Sequence, residues 1–350
     1  MKIRKQWIKV LVGSLAMLLL VSGCSAGGAA QAEGDFVSTS AVRRNTLAAV
    51  GDTLYALTEE NGEVQLHAFD REKGTHAVTT VEVQKSEEEM FATMQGQAEN
   101  LATDGKALYA MGAQGSGGIY RIDPNTGKAE KKGFYPGVSI TCWAIADGTA
   151  YIGGSDAEGI SVYAVKPEQF ALFAQMGEPV LHFDDGVEIG SIDPVPEGLL
   201  VTLKVGEEPW NTVLFDPKNG KTTPVAQDVY SDRTAQNGSL RLACLRTEDG
   251  AQAVLLEESG PRVAAELDWL YRPIAAGKGF VLDSMGDKAR TTLYVDETGA
   301  VHNVTLPDGA GPLLGGDARY AYLWDTAAPN SESTLLTLDL ETLEVVDCFE

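Results

Sequence analysis

Cysteine and histidine are scarce in this 350-residue chain, which contains four of each. Cys142, Cys244 and Cys348 lie far apart, and no Cys-x-x-Cys pair or mixed Cys/His cluster supplies the ligand spacing of a zinc or redox site. No His-Glu-x-x-His sequence is present either. We therefore expect no metal site and no cofactor, and we interpret these three cysteines as small buried hydrophobic residues.

Basic residues are also few, since 27 Lys and Arg stand against 50 Asp and Glu and give a net charge of −23. Without the four basic residues of the first nine positions, 23 basic and 50 acidic residues remain, for a net charge near −27. Such a charge repels nucleic acid and anionic lipid, so we predict neither as a partner. A hydrophobic content of 44% with 38 glycines fits a folded globular domain.

Catalytic motifs are lacking as well. The sequence contains no Gly-x-Ser-x-Gly turn and no phosphate-binding glycine loop that opens a helix. Neighbouring carboxylates such as Asp184 and Asp185 could perform acid–base chemistry, but among 50 acidic residues some are adjacent by chance. The absence of site chemistry favours a protein that is not an enzyme and leaves the question open.

The first part of the chain holds an apolar run at residues 10–21, which follows Lys2, Arg4, Lys5 and Lys9. Small residues come next, and this order is that of a secretory signal. About twelve apolar residues are too few to cross a bilayer, which takes roughly 20. We predict that residues 1–23 are a cleaved export signal.

The end of this signal, Val21-Ser22-Gly23-Cys24, resembles the lipobox of bacterial lipoproteins, with Val in place of the usual Leu. The resemblance implies that Cys24 receives a lipid and becomes the mature N-terminus. Residues 24–35 would then be a flexible tether, and residues 36–350 the folded domain. We therefore expect an exported protein anchored through Cys24 to the outer side of the cytoplasmic membrane, or to an outer membrane where the host has one.

The rest of the chain lacks a long amphipathic helix and contains a recurring unit instead. Its clearest copy is LATDGKALYA at 101–110 followed by GIYRIDPNTGK at 118–128. The pattern predicts a strand, a tight Asp-Gly turn, a second strand, a loop, a third strand, and an Asp-Pro-Asn-Thr-Gly turn into a fourth strand.

Both turns of this unit recur seven times and alternate along the chain. The first turn occurs at Gly51-Asp52, Asp104-Gly105, Asp147-Gly148, Glu197-Gly198, Asn237-Gly238, Lys278-Gly279 and Gly316-Asp317. The second occurs at residues 70–74, 123–127, 166–168, 216–220, 258–260, 296–299 and 339–342. A period of about 40 to 50 residues with four short strands predicts an all-β fold, a seven-bladed β-propeller of four-stranded antiparallel blades. For ring closure, residues 36–41 are expected to add an outer strand beside residues 343–349.

The unit DG-x-LY…Y-x-ID-P-x-TGK resembles the blades of quinoprotein-like and YVTN-type β-propellers, most closely at residues 123–128 and 216–221. The resemblance covers roughly residues 45–350 and implies architecture without activity. Quinoprotein dehydrogenases have adjacent cysteines and tryptophan docking motifs. This sequence has neither, which disfavours redox catalysis with a quinone cofactor.

In such a fold, the loops between second and third strands and the links between blades lie on one face. Aromatic and charged residues in these segments are our candidates for ligand binding. They are Tyr135, His182, Asp184, Asp185, Trp210, Tyr230, Arg233, Trp269, Tyr271 and Arg272. Turn-like neighbours favour exposure of Trp210, whereas apolar neighbours favour packing of Trp269.

Two functions remain open. The first is a cell-surface binding or scaffold lipoprotein that engages a protein or a glycan through this face. The second is a propeller lyase or hydrolase that acts on an extracellular or cell-wall glycan and would need paired carboxylates. Converging His, Arg and carboxylate groups at the mouth of the central channel would favour the enzyme, and a channel filled with apolar side chains would favour binding.

Overall fold

The computed structural model describes residues 37–38, 47–60, 63–83, 101–111, 118–134, 139–156, 159–167, 179–183, 186–284, 291–325, 335–346 and 348–349. Residues 36–350 form one structural unit. The predicted signal, Cys24 and the predicted tether lie outside the described residues. In the part of the chain that is described, no helix is long and apolar enough to cross a membrane.

The described chain folds into β-strands that follow one another with short connections. The first fourteen are β1 (Val37–Ser38), β2 (Ala48–Val50), β3 (Thr53–Glu60), β4 (Glu63–Asp70), β5 (Thr75–Thr80), β6 (Leu101–Thr103), β7 (Leu108–Met111), β8 (Gly118–Ile122), β9 (Ala129–Phe134), β10 (Ser139–Ala146), β11 (Thr149–Asp156), β12 (Gly159–Val165), β13 (Leu181–Phe183) and β14 (Val187–Val195). The others are β15 (Gly198–Val205), β16 (Trp210–Asp216), β17 (Lys221–Asn237), β18 (Leu240–Arg246), β19 (Ala251–Glu257), β20 (Gly260–Leu267), β21 (Tyr271–Ala276), β22 (Gly279–Ser284), β23 (Thr292–Val295), β24 (Val301–Val304), β25 (Ala310–Gly316), β26 (Tyr320–Asp325), β27 (Leu335–Asp339) and β28 (Glu344–Val346).

These strands pair antiparallel in six sheets within the described residues. Four sheets have four strands each, namely β2–β5, β6–β9, β10–β13 and β21–β24. A fifth joins β25–β28 and carries β1 at its first edge, and the sixth runs continuously from β14 to β20. First strands of neighbouring sheets contact one another, as β6 contacts β2 and β10, β10 contacts β14, and β21 contacts β25, while the seven-stranded sheet contacts β21 through β17. The sheets are therefore arranged like blades around an axis that the first strands surround.

The prediction of seven separate blades is wrong, because in the described part of the chain five sheets have the blade form and the sixth sheet has seven strands. The cause is β17, which has 17 residues. Its first half pairs with β16 and its second half pairs with β18, with a register shift between Val229 and Thr234. Two predicted units are thereby joined in one hydrogen-bonded sheet.

The repeated turns that lie wholly within the described residues connect consecutive paired strands, as the pattern predicts. In the first turn, Asp104 Oδ1 accepts hydrogen bonds from the backbone N–H groups of Lys106 and Ala107, and its Oδ2 accepts one from the Tyr109 hydroxyl at 3.0 Å. In the second turn, Asp123 Oδ1 accepts the N–H of Asn125 at 2.8 Å. Aspartate stabilises these turns because its carboxylate satisfies N–H groups that the tight bend leaves unpaired.

Apolar clusters fill the spaces between neighbouring sheets. Leu66 of the β2–β5 sheet packs in one cluster with Leu108 of the β6–β9 sheet. Val162 and Val201 likewise belong to a cluster between the β10–β13 sheet and the seven-stranded sheet. Alternating strand residues point to both faces, so each sheet buries its two faces against two neighbours.

The first and last sheets also pack against each other, and we call their contact the seam. It is formed by Leu47, Leu54, Ala56, Phe69, Leu314, Tyr322, Trp324, Leu335 and Phe349. A polar contact accompanies it, because Arg71 Nη1 donates a hydrogen bond to Asp317 Oδ2 at 2.9 Å and the Tyr322 hydroxyl donates one to the same oxygen at 2.7 Å. The ring is therefore closed by side chains between the two ends of the domain.

The N-terminal strand does not pair beside residues 343–349, as predicted from the sequence. Val37 pairs with Gly316, and Ser38 pairs with Gly315. Strand β1 thus joins the first, axis-facing edge of the last sheet, and it does not pair with the outer strand β28. The outer edge formed by residues 343–349 was expected to receive it, but the exposed N–H and C=O groups of β25 on the axis side provide the partner instead.

Candidate functional site

The antiparallel order of the strands gives the unit two distinct ends. Hairpins between first and second strands and turns between third and fourth strands lie at one end, which we call the hairpin end. Links between second and third strands, and links from one sheet to the next, lie at the other, which we call the connection end. In the seven-stranded sheet, residues 238–239 are at the hairpin end and residues 206–209 are at the connection end.

A cleft of about 420 Å³ opens at the connection end, between the β10–β13 sheet and strand β14. It is lined by Thr141, Ser155, Gly159, Ile160, Gly186, Val187, Glu188 and Ile189. Its volume falls within the range of roughly 300–1,000 Å³ that small-molecule sites occupy. The cleft is therefore our candidate functional site.

Glycine keeps this cleft open. Gly186 has a φ of +88°, in the left-handed region, and no atom lies within 4 Å of the position that a Cβ would take. It ends the link from β13 and lets β14 begin without a side chain at the rim. Gly159 opens β12 on the opposite wall.

The lining combines apolar and hydrogen-bonding groups. Ile160 and Ile189 belong to the apolar cluster between the two sheets and form the floor. The Thr141 hydroxyl donates to the carbonyl of Gly153 at 3.3 Å, which leaves its oxygen able to accept. Together with the Ser155 hydroxyl and the Glu188 carboxylate, it gives the cleft donors and acceptors suited to a hydroxyl-rich or amide-containing ligand.

A short chain of contacts links the cleft to Trp210. Glu188 Oε1 lies 3.4 Å from Lys204 Nζ, and this ammonium group lies 5.4 Å from the centroid of the Trp210 ring. The Glu188 side chain is 60% exposed, so the ion pair is screened by water and contributes little to stability. Its carboxylate is accordingly accessible to a ligand.

Of the residues predicted for this face, His182 and Trp210 lie near the cleft. His182 is exposed on the outer strand β13, four positions before Gly186, and its Nδ1 is hydrogen-bonded to Ser161 Oγ at 2.9 Å. Tyr135, Asp184 and Asp185 lie outside the described residues.

The two tryptophans have exposures opposite to those that their neighbours in sequence suggest. Trp269 is 37% exposed at the connection end, although it stands between apolar residues. Trp210 is half-buried in β16, under Lys204. Tyr230 is also half-buried, and the Arg246 guanidinium lies 5.5 Å from its ring centroid.

Tyr271, Arg233 and Arg272 are buried, so they are not part of an exposed face. Arg233 Nη2 donates a hydrogen bond to Asp193 Oδ1 at 2.5 Å, which joins β17 to β14 near the axis. The Tyr271 hydroxyl donates to Asp268 Oδ1 at 3.3 Å and is hydrogen-bonded to Thr291 Oγ1, and burial raises the pKa of Tyr271.

The positions of His182, Arg233 and Arg272 show whether the predicted polar side chains converge. His182 lies on an outermost strand, whereas Arg233 and Arg272 lie on strands that surround the axis. His182 is therefore held in an outer layer of the fold, apart from the inner strands that carry Arg233 and Arg272.

Sequence reasoning missed the residues that line the cleft. None of Thr141, Ser155, Gly159 and Glu188 belongs to a recognisable motif. The available signal was a glycine at the start of a strand directly after a connection, as at Gly159 and Gly186. That pattern indicates a cleft only when the packing of two neighbouring sheets is known, because the packing brings the two glycines to opposite walls of the same cleft.

No protein-family model matches this sequence. No curated protein matches it either. Solved structures do resemble the fold. The β-propeller domain of the Trilobed protease from Pyrococcus furiosus, which has an open velcro topology, matches with a TM-score of 0.56 at 11% identity, over 90% of this chain and 97% of that one. The fold is a β-propeller.

Two peptidase structures are similar as well. A prolyl endopeptidase matches with a TM-score of 0.59 at 14% identity over 88% of this chain, and this chain spans about half (49%) of its length. The acylaminoacyl peptidase of Pyrococcus horikoshii matches with a TM-score of 0.53 at 10% identity, over 85% of this chain and 51% of that one. At such low identity the likeness shows the propeller fold alone.

Proposed function

We propose that this chain is a lipid-anchored, extracytoplasmic binding or scaffold protein that engages a glycan or a protein segment through the connection end of its propeller. The observation that carries the proposal is the cleft between β10–β13 and β14, which combines two glycines, two hydroxyl groups and an accessible carboxylate with an apolar floor. The lipobox-like sequence Val21-Ser22-Gly23-Cys24, and the resemblance of the repeats to exported propellers, support the location and the anchor.

A glycan is the first ligand class to test. Sugar hydroxyl groups pair with Glu188, Ser155 and Thr141, and the apolar floor at Ile160 and Ile189 suits the C–H face of a pyranose ring. An extended peptide is the second class, because its amide groups use the same donors and acceptors. The separation of His182 from Arg233 and Arg272 favours this binding role over the alternative of a glycan lyase or hydrolase.

The test is a thermal-shift screen of the protein against cell-wall glycan fragments and soluble polysaccharides. A ligand that binds only the folded state raises the melting temperature in a saturable manner. We expect Glu188→Gln to weaken binding of a responding glycan about tenfold, because a hydrogen bond to a charged group contributes roughly 1.5–3 kcal/mol. Ser155→Tyr, which fills the cleft, should abolish the response.

Glu207→Gln is the matched control. Glu207 is an exposed carboxylate at the same end, in the 206–209 connection and outside the cleft lining. We expect the affinity of Glu207→Gln for the glycan to stay within twofold of that of the unchanged protein. Equal losses for Glu188→Gln and Glu207→Gln would show that general surface charge, and not the cleft, binds the glycan. A flat response of the unchanged protein would turn the test to protein partners by crosslinking on intact cells.

A further inference from the structure

Strand β5 is an outer edge strand that lacks the features which normally prevent an edge from pairing with another chain. It is the last strand of the β2–β5 sheet, and no described strand pairs with its other side. Its six residues, Thr75–Thr80, pair with β4 in an unbroken register, and all but one of them are exposed. The strand contains no Lys, Arg, Asp, Glu or Pro, which are the residues that usually block such an edge.

The other outer strands of the described sheets are protected by short length, charge, proline or an irregular register. Strands β13, β24 and β28 have only three or four residues each. Strand β9 contains Lys131 and Lys132, strand β20 contains Pro261 and Arg262, and the pairing of each has a register shift. The first half of β17, which borders β16, contains Pro224 and two register shifts. Among the described outer strands, β5 is therefore the one suited to further pairing.

The hydrogen-bond pattern shows which backbone groups of β5 are open. The Val81 N–H donates to the Val64 carbonyl at 2.8 Å, in the same register as the β4–β5 pairs. Because hydrogen-bonded and non-hydrogen-bonded pairs alternate, the odd-numbered residues of β5 point their N–H and C=O groups toward β4. The N–H and C=O groups of His76 and Val78 consequently point away from the sheet.

The neighbouring sheet limits this open edge at one end. The carbonyl oxygen of Thr80 lies 2.9 Å from the position that a Cβ on Gly127 would take. Beyond it, the Glu82 N–H donates to the Gly127 carbonyl at 3.0 Å, and the Glu82 carbonyl accepts the Ala129 N–H at 2.7 Å. Residues 75–79 therefore remain for pairing with another chain.

The sequence of these five residues, Thr-His-Ala-Val-Thr, is self-complementary in an antiparallel pairing. With a two-fold axis at Ala77, His76 of one copy pairs with Val78 of the second, and Thr75 pairs with Thr79. The outward N–H and C=O groups of His76 and Val78 then bond to each other between the copies. Ala77 faces its own equivalent in a non-hydrogen-bonded pair, where Cα atoms are about 4.5 Å apart and a small side chain fits. The Thr–Thr pairs are favourable cross-strand contacts.

The charges also favour a second copy at this edge. The chain is strongly acidic, with a net charge of −23, but residues 75–79 place no carboxylates opposite each other. The nearest charged side chains, Glu72, Lys73 and Glu82, lie beyond the paired residues. Val78 is 40% exposed, one of the few large hydrophobic residues exposed in the described chain, and it would gain a neighbour in His76 of the second copy.

We propose that two copies of this chain associate through β5, with the two-fold axis at Ala77, so that their β2–β5 sheets form one continuous sheet. Five residues a side are fewer than the roughly 20–30 of a standard interface, so the dimer is weak and depends on concentration. No residue of the cleft belongs to the β2–β5 sheet, so the proposal does not rest on the proposed function. The dimer carries two separate clefts.

Disulfide trapping of the full protein tests this register. Ala77→Cys, Thr75→Cys and Thr79→Cys are each made in a Cys348→Ser background, in which Cys142 and Cys244 are buried. We expect Ala77→Cys to form a disulfide-linked dimer under mild oxidation, because its Cα and that of the second copy lie within the range of a disulfide, about 4.4–6.8 Å. An equal mixture of Thr75→Cys and a size-tagged Thr79→Cys should form the mixed dimer for the same reason.

Thr79→Cys alone is the matched control on the same exposed edge. Its two copies lie four residues apart along the paired strands, roughly 14 Å, which is too far for a disulfide. We expect at least fivefold less dimer from Thr79→Cys than from Ala77→Cys at equal protein concentration. The reduced variants should melt at the temperature of the Cys348→Ser parent, and the mixture decides the test if Ala77→Cys does not fold.

Equal dimer yields from single variants at positions 75, 77 and 79 would indicate random collision and overturn the proposal. Folded variants that give no dimer from Ala77→Cys and none from the mixture would overturn it as well. A dimer from Thr79→Cys without one from Ala77→Cys would exclude the register around Ala77. None of these results bears on ligand binding in the cleft, which the variants at residues 155 and 188 test separately.

Discussion

At the scale of single residues, His67 is the most distinctive titratable group. It is completely buried at the seam, where its Nε2 is hydrogen-bonded to Thr58 Oγ1 at 2.8 Å and its Nδ1 to His76 Nε2 at 3.0 Å. The edge of Trp324 from the last sheet lies against it, with 5.4 Å between ring centroids. Burial, and then the neighbouring His76, lower the pKa of His67 to about 4.

Because His67 is buried with a lowered pKa, we expect acid to destabilise the packing at the seam. An unfolded chain protonates His67 below about pH 6.5, whereas the folded protein resists protonation until about pH 4. Its contribution to stability is therefore complete above pH 6.5 and is lost as the pH falls toward 4. We expect a loss of about 2 kcal/mol from this group between pH 7.5 and pH 5, in addition to losses from other residues.

Urea denaturation of the unchanged protein and of His67→Gln at both pH values isolates this contribution. The variant should be less stable at pH 7.5, and the gap between the two proteins should narrow by about 2 kcal/mol at pH 5. A gap that stays constant with pH would contradict a neutral, buried His67.

Residue-level predictions from the sequence were the least successful, for a physical reason. The exposure of a strand residue depends on whether neighbouring sheets cover one or both faces of that strand, and all six residues of β21 are buried. Tyr271 and Arg272 stand at the start of β21, next to the exposed Trp269, yet both are buried. Local composition around Trp210 and Trp269 could not show which ring a neighbouring strand would cover.

At the scale of elements, the same aspartate-stabilised turn occurs at different positions in the ring. Asp104 and Asp317 both accept backbone N–H groups in a first turn and a tyrosine hydroxyl five positions later. Only Asp317, among these two, also accepts a hydrogen bond from Arg71 of the opposite sheet. The same turn motif therefore becomes part of the ring closure at the seam.

The comparison of Asp317→Ala with Asp104→Ala measures how much the contact with Arg71 at the seam adds to the free energy of unfolding. We expect Asp104→Ala to lower the free energy of unfolding by about 1–2 kcal/mol, through the lost turn hydrogen bonds. Asp317→Ala should cost about 3 kcal/mol or more, because it also removes the buried carboxylate that accepts a hydrogen bond from the Arg71 guanidinium. Chemical denaturation provides both values. Equal losses would mean that the ion pair adds nothing to the closure.

Elements were predicted better than residues because turns have strong local signals. Asp-Gly and Asp-Pro-Asn-Thr-Gly sequences define tight bends whatever surrounds them, so the alternating turns could be read from the chain. The joined sheet could not, because β17 stays hydrogen-bonded to β16 on one side and to β18 on the other across the register shift between Val229 and Thr234. Between Pro224 and Gly238 the sequence contains neither Gly nor Pro, and the chain continues as β17.

At the scale of the whole molecule, the propeller arranges separate sheets so that their links make one surface. The cleft belongs to no single sheet, since its walls come from β10–β12 and β14. This explains why the fold class was accessible from repeats while the site was not. The cleft depends on the packing angle between two sheets, which no local sequence pattern encodes.

Hydrogen–deuterium exchange of the full protein, measured with and without a cell-wall glycan that raises its melting temperature, shows whether the ligand binds in the cleft. We expect added protection in residues 155–156, 159–161 and 186–189, the two walls of the cleft at the connection end. Links at the hairpin end, such as residues 238–239, should exchange unchanged. Protection confined to the hairpin end or to the seam would contradict a binding role for the cleft.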